Sequence, residues 1–222
     1  MSNFYRSFPI VVCLIFCVSG CQNIFSKTPE AQLQQAETFL DEGDSDQALA
    51  VLNRLIENHP DLAQAYYQRG QAYAQQNDFE VALVDYNQAI NLDPEEPSFY
   101  LSRGLIYIAQ DKPNDAIEDW SKVIDLAPGD PIAYFNRGRA YYYIEEFQKA
   151  RDDLDQAIVL DPVYANAYFN RAIVNQYLEQ PRAAIADLEK YLELAPNAPD
   201  HAEAKAELTR LQTLFPPIVD NE

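Results

Sequence analysis

The sequence predicts an all-α fold, a solenoid of five stacked helical hairpins closed by one further helix. The first observation is a fixed period, because prolines recur every 34 residues, at Pro60, Pro94, Pro128, Pro162 and Pro196. A period of this length is typical of helical repeat arrays. The second is the composition, which combines 48% hydrophobic residues with only 6 glycines in 222 residues. That balance suits packed helices and argues against a disordered chain.

Within one period, the hydrophobic spacing predicts two helices. In the second period Tyr66 and Tyr73 lie on one stripe and Leu83 and Tyr86 on another, each at helical rather than strand spacing. A polar break at 75–78 separates the two stripes, and the closing proline ends the second helix by removing a backbone donor. One hairpin cannot bury its apolar face alone, whereas five in a stack share a continuous core.

The repeats resemble the tetratricopeptide repeat in a large aromatic residue near the start of the first helix and a small residue four positions later. These positions read Tyr66, Tyr100, Tyr134 and Tyr168, then Gly70, Gly104, Gly138 and Ala172. The resemblance implies a right-handed α-solenoid with repeats at 29–62, 63–96, 97–130, 131–164 and 165–198. The first repeat departs from the pattern at Gln32 and Ala36, and the fifth has Asn175 where a tyrosine is expected, as is common in terminal repeats.

The N-terminus is typical of a signal peptide at 1–20, with Arg6, no acidic residue and an apolar run at 9–18 that is short for a membrane span. The following sequence, Val18-Ser19-Gly20-Cys21, resembles the lipobox of bacterial lipoproteins, which implies cleavage before Cys21 and lipid attachment to its sulfur. The alternative is an ordinary signal peptide with an incidental thiol. All three cysteines lie in this segment, so the repeats need no disulfide.

The lipoprotein resemblance implies a location at the cell membrane or outer membrane, facing the periplasm or cell exterior. Residues 21–28 would be the lipidated cysteine and a short tether, and Gln22 is not the aspartate associated with inner-membrane retention. The formal net charge of the chain is -19. Such an acidic chain disfavours nucleic acid and anionic lipid surfaces as partners, because both require clustered Lys and Arg.

The last segment is predicted as a capping helix at 199–215 followed by a tail at 216–222. Asp200 is expected to cap the helix, and its buried side is expected to be formed by Ala202, Ala206, Leu208 and Leu211. A solenoid needs such an end to shield its last core from water.

The sequence contains no convergent catalytic set, so we expect no enzyme, no cofactor and no metal. His59 and His201 have no nucleophile or ligand set nearby in sequence. The acidic run 41–46 could be read as a calcium loop, but Leu52 stands where the closing glutamate is needed. A turn with an N-cap at Asp44 or Ser45 explains it better.

A ladder of opposite charges recurs in repeats two to five, with an arginine just before the small residue and an aspartate sixteen positions later. The predicted pairs are Arg69 with Asp85, Arg103 with Asp119, Arg137 with Asp153 and Arg171 with Asp187. In an antiparallel hairpin these positions lie at nearly the same height. A rival pairing joins each Asp to the Arg of the next repeat and ends with Asp187 and Lys205. A third possibility is that all are solvated surface charges.

The family resemblance places the partner-binding groove on first-helix positions that flank the core stripe. These positions are Tyr67, Gln68, Gln71, Leu101, Ser102, Leu105, Phe135, Asn136, Arg139, Tyr142, Tyr143, Asn166, Phe169, Asn170 and Tyr177. Aromatic rings interleaved with amides suit an extended peptide or a partner helix. Phe135 and Phe169 could instead pack between neighbouring helices. The basic pair by which some relatives hold a C-terminal carboxylate is absent, since Ile132 and Asn136 occupy those positions.

Two function classes follow. The first is a membrane-anchored scaffold or adaptor that binds a protein or peptide partner in the cell envelope. The second is a glycan-binding or enzymatic subunit of an envelope complex that uses the groove aromatics as a sugar platform. The first is favoured, because the groove positions supply mainly aromatic and amide side chains and no acid/base set.

Overall fold

The computed structural model describes residues 28–216, so the proposed signal peptide, Cys21 and the tail after Pro216 lie outside the described residues. The described part folds into eleven helices and contains no strand. The helices are α1 (Pro29–Asp41), α2 (Ser45–Asn58), α3 (Ala63–Gln75), α4 (Phe79–Leu92), α5 (Pro97–Ala109), α6 (Pro113–Leu126), α7 (Pro131–Tyr143), α8 (Phe147–Leu160), α9 (Ala165–Tyr177), α10 (Pro181–Leu194) and α11 (His201–Leu214). Within residues 28–216, no helix is both long enough and apolar enough to cross a membrane.

The helices stack as predicted for a solenoid, since each packs against the next one in the chain. The first helices of some successive repeats also touch, α1 with α3, α3 with α5 and α7 with α9. Small residues let the two helices of a hairpin approach closely. A Cβ added at Gly104 would lie 2.6 Å from Nε1 of the buried Trp120. The core is shared between neighbouring repeats, since Trp120 and Val123 of repeat three cluster with Ala133 and Ala140 of repeat four.

The hairpin turns repeat one backbone motif. The second residue after each first helix has a positive φ, and these residues are Gly43, Asn77, Asp111, Glu145 and Glu179. In repeat two, the Asn77 amide donates to the Ala74 carbonyl at 3.0 Å and the Asp78 amide to the Tyr73 carbonyl at 2.9 Å. This pair of bonds is the Schellman motif, which satisfies carbonyls at a helix end.

The starts of several second helices follow from their sequence. Pro113 and Pro181 occupy the first positions of α6 and α10, where the missing amide hydrogen costs nothing. Asp44 is the N-cap of α2, and its carboxylate accepts the Gln47 amide at 3.1 Å. The acidic run 41–46 is thus a capped turn, and no cluster of metal-ligand side chains occurs within 28–216.

The predicted charges form a buried ladder inside each repeat, here called the arginine ladder (Arg69, Arg103, Arg137 and Arg171). Each arginine donates from Nε and Nη2 to the two carboxylate oxygens of the aspartate sixteen residues later, at 2.5–3.0 Å. All four aspartates are buried. The fork geometry raises the pKa of Arg69 and Arg137, chiefly through the hydrogen bonds to Asp85 and Asp153.

The arginine ladder also joins neighbouring repeats, through a contact that neither sequence pairing anticipated. The remaining Nη1 of each arginine donates to a polar side chain sixteen residues earlier, on the second helix of the preceding repeat. These acceptors are Asn53, Asn87, Ser121 and Asp155, at 2.5–3.0 Å. The rival pairing is wrong as proposed, because Asp187 pairs with Arg171 and not with Lys205 among the described residues. The solvated alternative is also excluded.

A first-helix tyrosine packs against each arginine of the arginine ladder. The Arg69 guanidinium lies 5.5 Å from the ring centroid of Tyr66, and the Tyr66 hydroxyl donates to the Pro60 carbonyl at 3.2 Å. The same tyrosine-to-proline bond recurs from Tyr100 and Tyr168 at 3.1 Å. The repeat-closing proline and the first-helix tyrosine are therefore parts of one interaction.

The capping helix is present, but its predicted details need correction. Its apolar side is formed by Ala204, Leu208 and Leu211, whereas Ala202 and Ala206 are exposed. Ala206 lies 34 residues after Ala172, so it occupies the small position of a first helix, and no second helix follows α11 within residues 28–216. Asp200 precedes the helix, but its carboxylate accepts the Tyr191 hydroxyl and not an α11 amide.

The junction between α8 and α10 differs from the equivalent junctions between the second helices of the other repeats. Asn175 replaces the tyrosine of the earlier repeats, and Arg151 stands where the other repeats have an aliphatic residue such as Ile117. Both side chains line an open cavity of about 310 Å³ beside Arg171 and Asp187. The smaller asparagine thus leaves a polar gap at this junction.

Candidate functional site

The predicted groove residues lie on α3, α5, α7 and α9, which with α1 form the first-helix side of the array. This surface is called the groove face here. Its members do not form one uniform trough. They form an N-terminal patch on α3, a central patch on α5 and α7, and an aromatic cluster on α7, α8 and α9.

The N-terminal patch is centred on Tyr67. Its ring packs against Phe99 at a centroid distance of 4.9 Å, and its hydroxyl accepts a hydrogen bond from Gln71 Nε2 at 3.0 Å. The same hydroxyl lies 3.2 Å from the Ser102 hydroxyl on α5. The patch therefore links repeats two and three through a polar network.

A cleft of about 250 Å³ opens beside this patch, between α1 and α3. Sequence reasoning missed the α1 side of this cleft, because Glu37 and Asp41 belong to an atypical first repeat. Their spacing of four residues on one helix was the available signal. The cleft is lined by Glu37, Leu40, Asp41, Gln64, Tyr67, Gln68, Gln71 and Gln75.

The central patch surrounds a small cavity of about 30 Å³ lined in part by Leu105, Asn136, Arg139 and Tyr143. Leu105 is 49% exposed and Tyr143 is 56% exposed. Arg139 lies over the Phe135 ring at 5.6 Å, and its Nη2 donates to the Tyr143 hydroxyl at 3.5 Å. Arg139 is held by these contacts on the groove face.

Two central residues are less accessible than predicted. Asn136 and Phe135 are both only 7% exposed. The Phe135 ring packs against Tyr164 at 4.8 Å, as the packing alternative for this residue expects. Asn136 contributes to the cavity wall and does not project from the surface.

The aromatic cluster consists of Tyr142, Tyr143, Phe147 and Tyr177. Phe147 and Tyr177 stack at 4.6 Å with an interplanar angle of 15°, and Tyr142 meets Tyr177 edge-on at 5.6 Å. The Tyr142 hydroxyl donates to the Tyr177 hydroxyl, and this bond raises the pKa of Tyr142 to about 12, with burial contributing. Phe147, at the start of α8, was not among the predicted groove residues.

The remaining α9 residues are divided between surface and core. Asn166 is exposed, and its carbonyl accepts the Asn170 side-chain amide at 2.8 Å. The Phe169 ring is half-buried and packs against Tyr191 at 4.9 Å. Asn170 is thus partly engaged within its own helix, and Phe169 belongs mostly to the core.

The chemistry of the groove face is that of a binding surface. Its side chains are aromatic rings, amides, aliphatic groups and a few charges. The acidic cleft and Arg139 lie on different repeats, so they do not converge as an acid/base pair would.

Family models agree with this geometry. A model described as TPR repeat matches residues 36–77, 70–111 and 104–144. Models described as tetratricopeptide repeat match 131–164 and 155–209. The chain is a tetratricopeptide-repeat protein. Proteins of this fold are typically non-catalytic scaffolds that bind protein or peptide partners.

Solved structures show the same fold. YrrB, described as a tetratricopeptide-repeat protein with an unusual peptide-binding site, is 20% identical with a TM-score of 0.67, over 81% of this chain and 93% of that one. MamA from Desulfovibrio magneticus RS-1 is 19% identical with a TM-score of 0.65, over 85% and 97%. PilF from Pseudomonas aeruginosa is 15% identical with a TM-score of 0.69, over 86% and 93%. No curated protein sequence matches the chain.

Proposed function

We propose that this tetratricopeptide-repeat protein is a membrane-anchored scaffold of the bacterial cell envelope, which binds a peptide or helix of a partner protein on its groove face. The observation behind the proposal is an exposed strip that crosses repeats three to five. Leu105 and Tyr143 line one cavity, Tyr143 contacts Tyr142, and Tyr142 contacts Tyr177, which is 57% exposed.

The strip suits a protein partner for physical reasons. Tyrosine rings provide a large contact area and lose little conformational entropy on binding, and such residues dominate binding energy in interfaces. The adjacent Asn166 and Asn170 amides can bond a partner backbone. The peptide-binding site in the description of the YrrB structure supports this kind of ligand.

The anchor is proposed from the sequence of residues 18–21, where small residues precede Cys21. A diacylated cysteine would hold the array near the membrane, and two acyl chains suffice for stable anchoring. We place the protein at the cell membrane or outer membrane, facing the periplasm or cell exterior, with Gln22 favouring the outer membrane where there are two.

The groove can be tested by site-specific photo-crosslinking in cells. A benzophenone amino acid at Leu105 or Tyr177 should form a crosslink to one discrete partner band, identified by mass spectrometry. The matched control is the same probe at Val84 or Val159, which are exposed apolar residues on second helices. Equal crosslinking from the control positions would place the partner elsewhere.

The alternative glycan partner has a separate outcome. The molecules crosslinked to the probes at Leu105 and Tyr177 could resist protease and be degraded by cell-wall hydrolases. In that case the groove face binds glycan and the peptide proposal is wrong. A protease-sensitive adduct supports the scaffold.

The anchor is tested by Cys21→Ala. We expect the variant to leave the membrane fraction or to accumulate as an uncleaved precursor, because the sulfur that receives the lipid is missing. Cys17→Ala is the matched control and should be processed and fractionate like the wild type. Normal processing and membrane retention of Cys21→Ala would refute the lipoprotein assignment.

A further inference from the structure

The cleft between α1 and α3 is lined by two carboxylates and four glutamine side chains, and two of these glutamines donate hydrogen bonds within the protein. Gln75 Nε2 donates to the Leu40 carbonyl at 3.0 Å, and Gln71 Nε2 donates to the Tyr67 hydroxyl at 3.0 Å. Each of these bonds occupies an amide hydrogen of Gln71 or Gln75. The carboxylates of Glu37 and Asp41, both exposed, complete the acceptor set at the α1 side.

The two carboxylates have no cation of their own. Glu37 and Asp41 are four residues apart on α1, so they lie on one face and repel each other. The sequence of α1 contains no Lys or Arg, and Arg69 of α3 is committed to Asp85 and Asn53. Among residues 28–216, no ion pair involves either carboxylate.

A buried amide in the cleft wall points to the same kind of ligand. Gln68 is only 5% exposed, and its Oε1 accepts no hydrogen bond. An unsatisfied buried acceptor is costly, and the native structures that contain one usually provide a donor from elsewhere. The last torsion of a glutamine is soft, so the amide can turn its oxygen toward a donor that enters the cleft.

We propose that this cleft binds the cationic side chain, lysine or arginine, of the peptide that occupies the groove face. A cation supplies what the cleft lacks, namely positive charge for Glu37 and Asp41 and a donor for Gln68. The volume of about 250 Å³ is several times the roughly 30 Å³ of one water, so a long side chain fits. This inference rests on the proposed function, because the same peptide continues over the aromatic cluster.

The test is selection of a phage-displayed random dodecapeptide library on the intact immobilised protein. Selected peptides should share Lys or Arg at one position and apolar or aromatic residues at others. With Glu37→Gln/Asp41→Asn as bait, the basic position should lose its enrichment while the apolar positions keep theirs. The control bait is Glu118→Gln/Asp125→Asn, which changes the net charge equally at exposed acids of α6.

A quantitative measurement follows by fluorescence anisotropy with one selected peptide. Replacing its basic residue by norleucine should weaken binding about tenfold to wild type but should leave binding to Glu37→Gln/Asp41→Asn unchanged. Raising NaCl from about 50 to 500 mM should weaken the basic peptide more than its norleucine analogue. Circular dichroism should show that the double variant remains folded, since both residues are exposed.

The possible failures are distinguishable. Enriched peptides without a basic position, or a basic preference that survives in Glu37→Gln/Asp41→Asn, would overturn the cationic cleft and leave the groove proposal intact. If the preference for a basic residue is lost equally with the α6 control bait, the peptides are attracted only by the overall negative charge of the protein. That outcome also overturns the cationic cleft. No enrichment on any bait would overturn both proposals.

Discussion

At the scale of single residues, the close approach of helix pairs depends on the absence of one carbon atom. Gly104 lies in the middle of α5, where alanine would normally stabilise a helix by about 1 kcal/mol. Here a Cβ would lie 2.6 Å from the Trp120 indole, which is itself buried and donates to the Leu101 carbonyl at 3.3 Å. The ring cannot move without repacking the core.

We therefore expect Gly104→Ala to destabilise the protein by about 1 to 3 kcal/mol, the usual cost of overpacking. Chemical denaturation followed by circular dichroism measures this change. The control is Gly129→Ala in a loop, where a Cβ would meet nothing within 4 Å, and its effect should stay within about 0.5 kcal/mol. A stabilised Gly104→Ala would show that the Trp120 pocket yields easily.

A second residue-scale prediction concerns the Tyr191 hydroxyl, which donates to Asp200. Burial and this bond raise the pKa of Tyr191 from 10.0 to about 12. Because the folded state holds the proton more tightly, this stabilisation is complete below pH 10 and is lost as pH rises through about 12. At pH 8, the free energy of unfolding of the wild type should exceed that of Tyr191→Phe by about 1 to 2 kcal/mol.

That difference should shrink steadily between pH 10 and pH 12, as followed by urea midpoints of both proteins. Comparison with the phenylalanine variant removes the contributions of other tyrosines, including Tyr142. A difference that does not depend on pH would mean that the hydroxyl acts only through packing.

At the scale of the element, the hairpin turns contain avoidable strain. Glu179 has φ 55° and Glu145 has φ 62°, in the left-handed region that costs most residues about 1 to 2 kcal/mol. Gly43 occupies the same position in the first repeat without this cost.

Glu179→Gly should raise the stability by about 0.5 to 1 kcal/mol, because relief of strain exceeds the added chain entropy of glycine. Asn77→Gly is the matched control with a smaller expected gain, since asparagine tolerates this conformation better. Thermal melts at one pH would compare them. Loss of stability in Glu179→Gly would mean that its side chain makes a compensating interaction.

At the scale of the whole molecule, the arginine ladder adds the same polar contact at each junction from repeats one and two to repeats four and five. Arg137 bonds Asp153 within its repeat and Ser121 in the preceding one. Removing it leaves the buried Asp153 without its cation, and losses of this kind usually cost about 3 kcal/mol or more. Arg137→Ala should therefore lower the stability by that amount.

The loss should also divide the unfolding transition. Trp120 is the only tryptophan in the chain, so its fluorescence reports repeat three, while circular dichroism reports all helices. The two urea transitions should coincide in wild type and separate in Arg137→Ala. Arg210→Ala, which breaks an exposed pair with Glu207, should cost less than about 1 kcal/mol and leave the transitions coincident.

Features set by spacing along the chain could be predicted from the sequence. The proline period locates the hairpins, and the sixteen-residue offset brings Arg69 and Asp85 together because both lie on the seam of one hairpin. The cross-repeat contact to Asn53 was not predictable in this way. Its register depends on how far one hairpin rotates against the next, which no local pattern reports.

Features set by neighbouring surfaces were predicted less well. Asn136 is on the expected helix, but it is buried in a cavity wall that it shares with side chains of α5 and α6. Ala202 and Ala206 are exposed because they lie off the side of α11 that packs on the core, which Ala204, Leu208 and Leu211 form, so a pattern transferred from complete repeats misleads there. Glu37 and Asp41 were missed because they become part of the groove only when α1 packs against α3.

The varied acceptors of the arginine ladder bear on how such a chain can grow. Asn53, Asn87, Ser121 and Asp155 all accept the same Nη1 donor, so a junction requires only a short polar side chain at that position. Duplication of residues 131–164 in tandem would place Arg137 of the second copy against Asp155 of the first, a pairing that Arg171 already makes. Whole repeats could thus be added to or removed from the gene without the need for a new type of junction between repeats. In each resulting protein, α11 would still cover the last repeat.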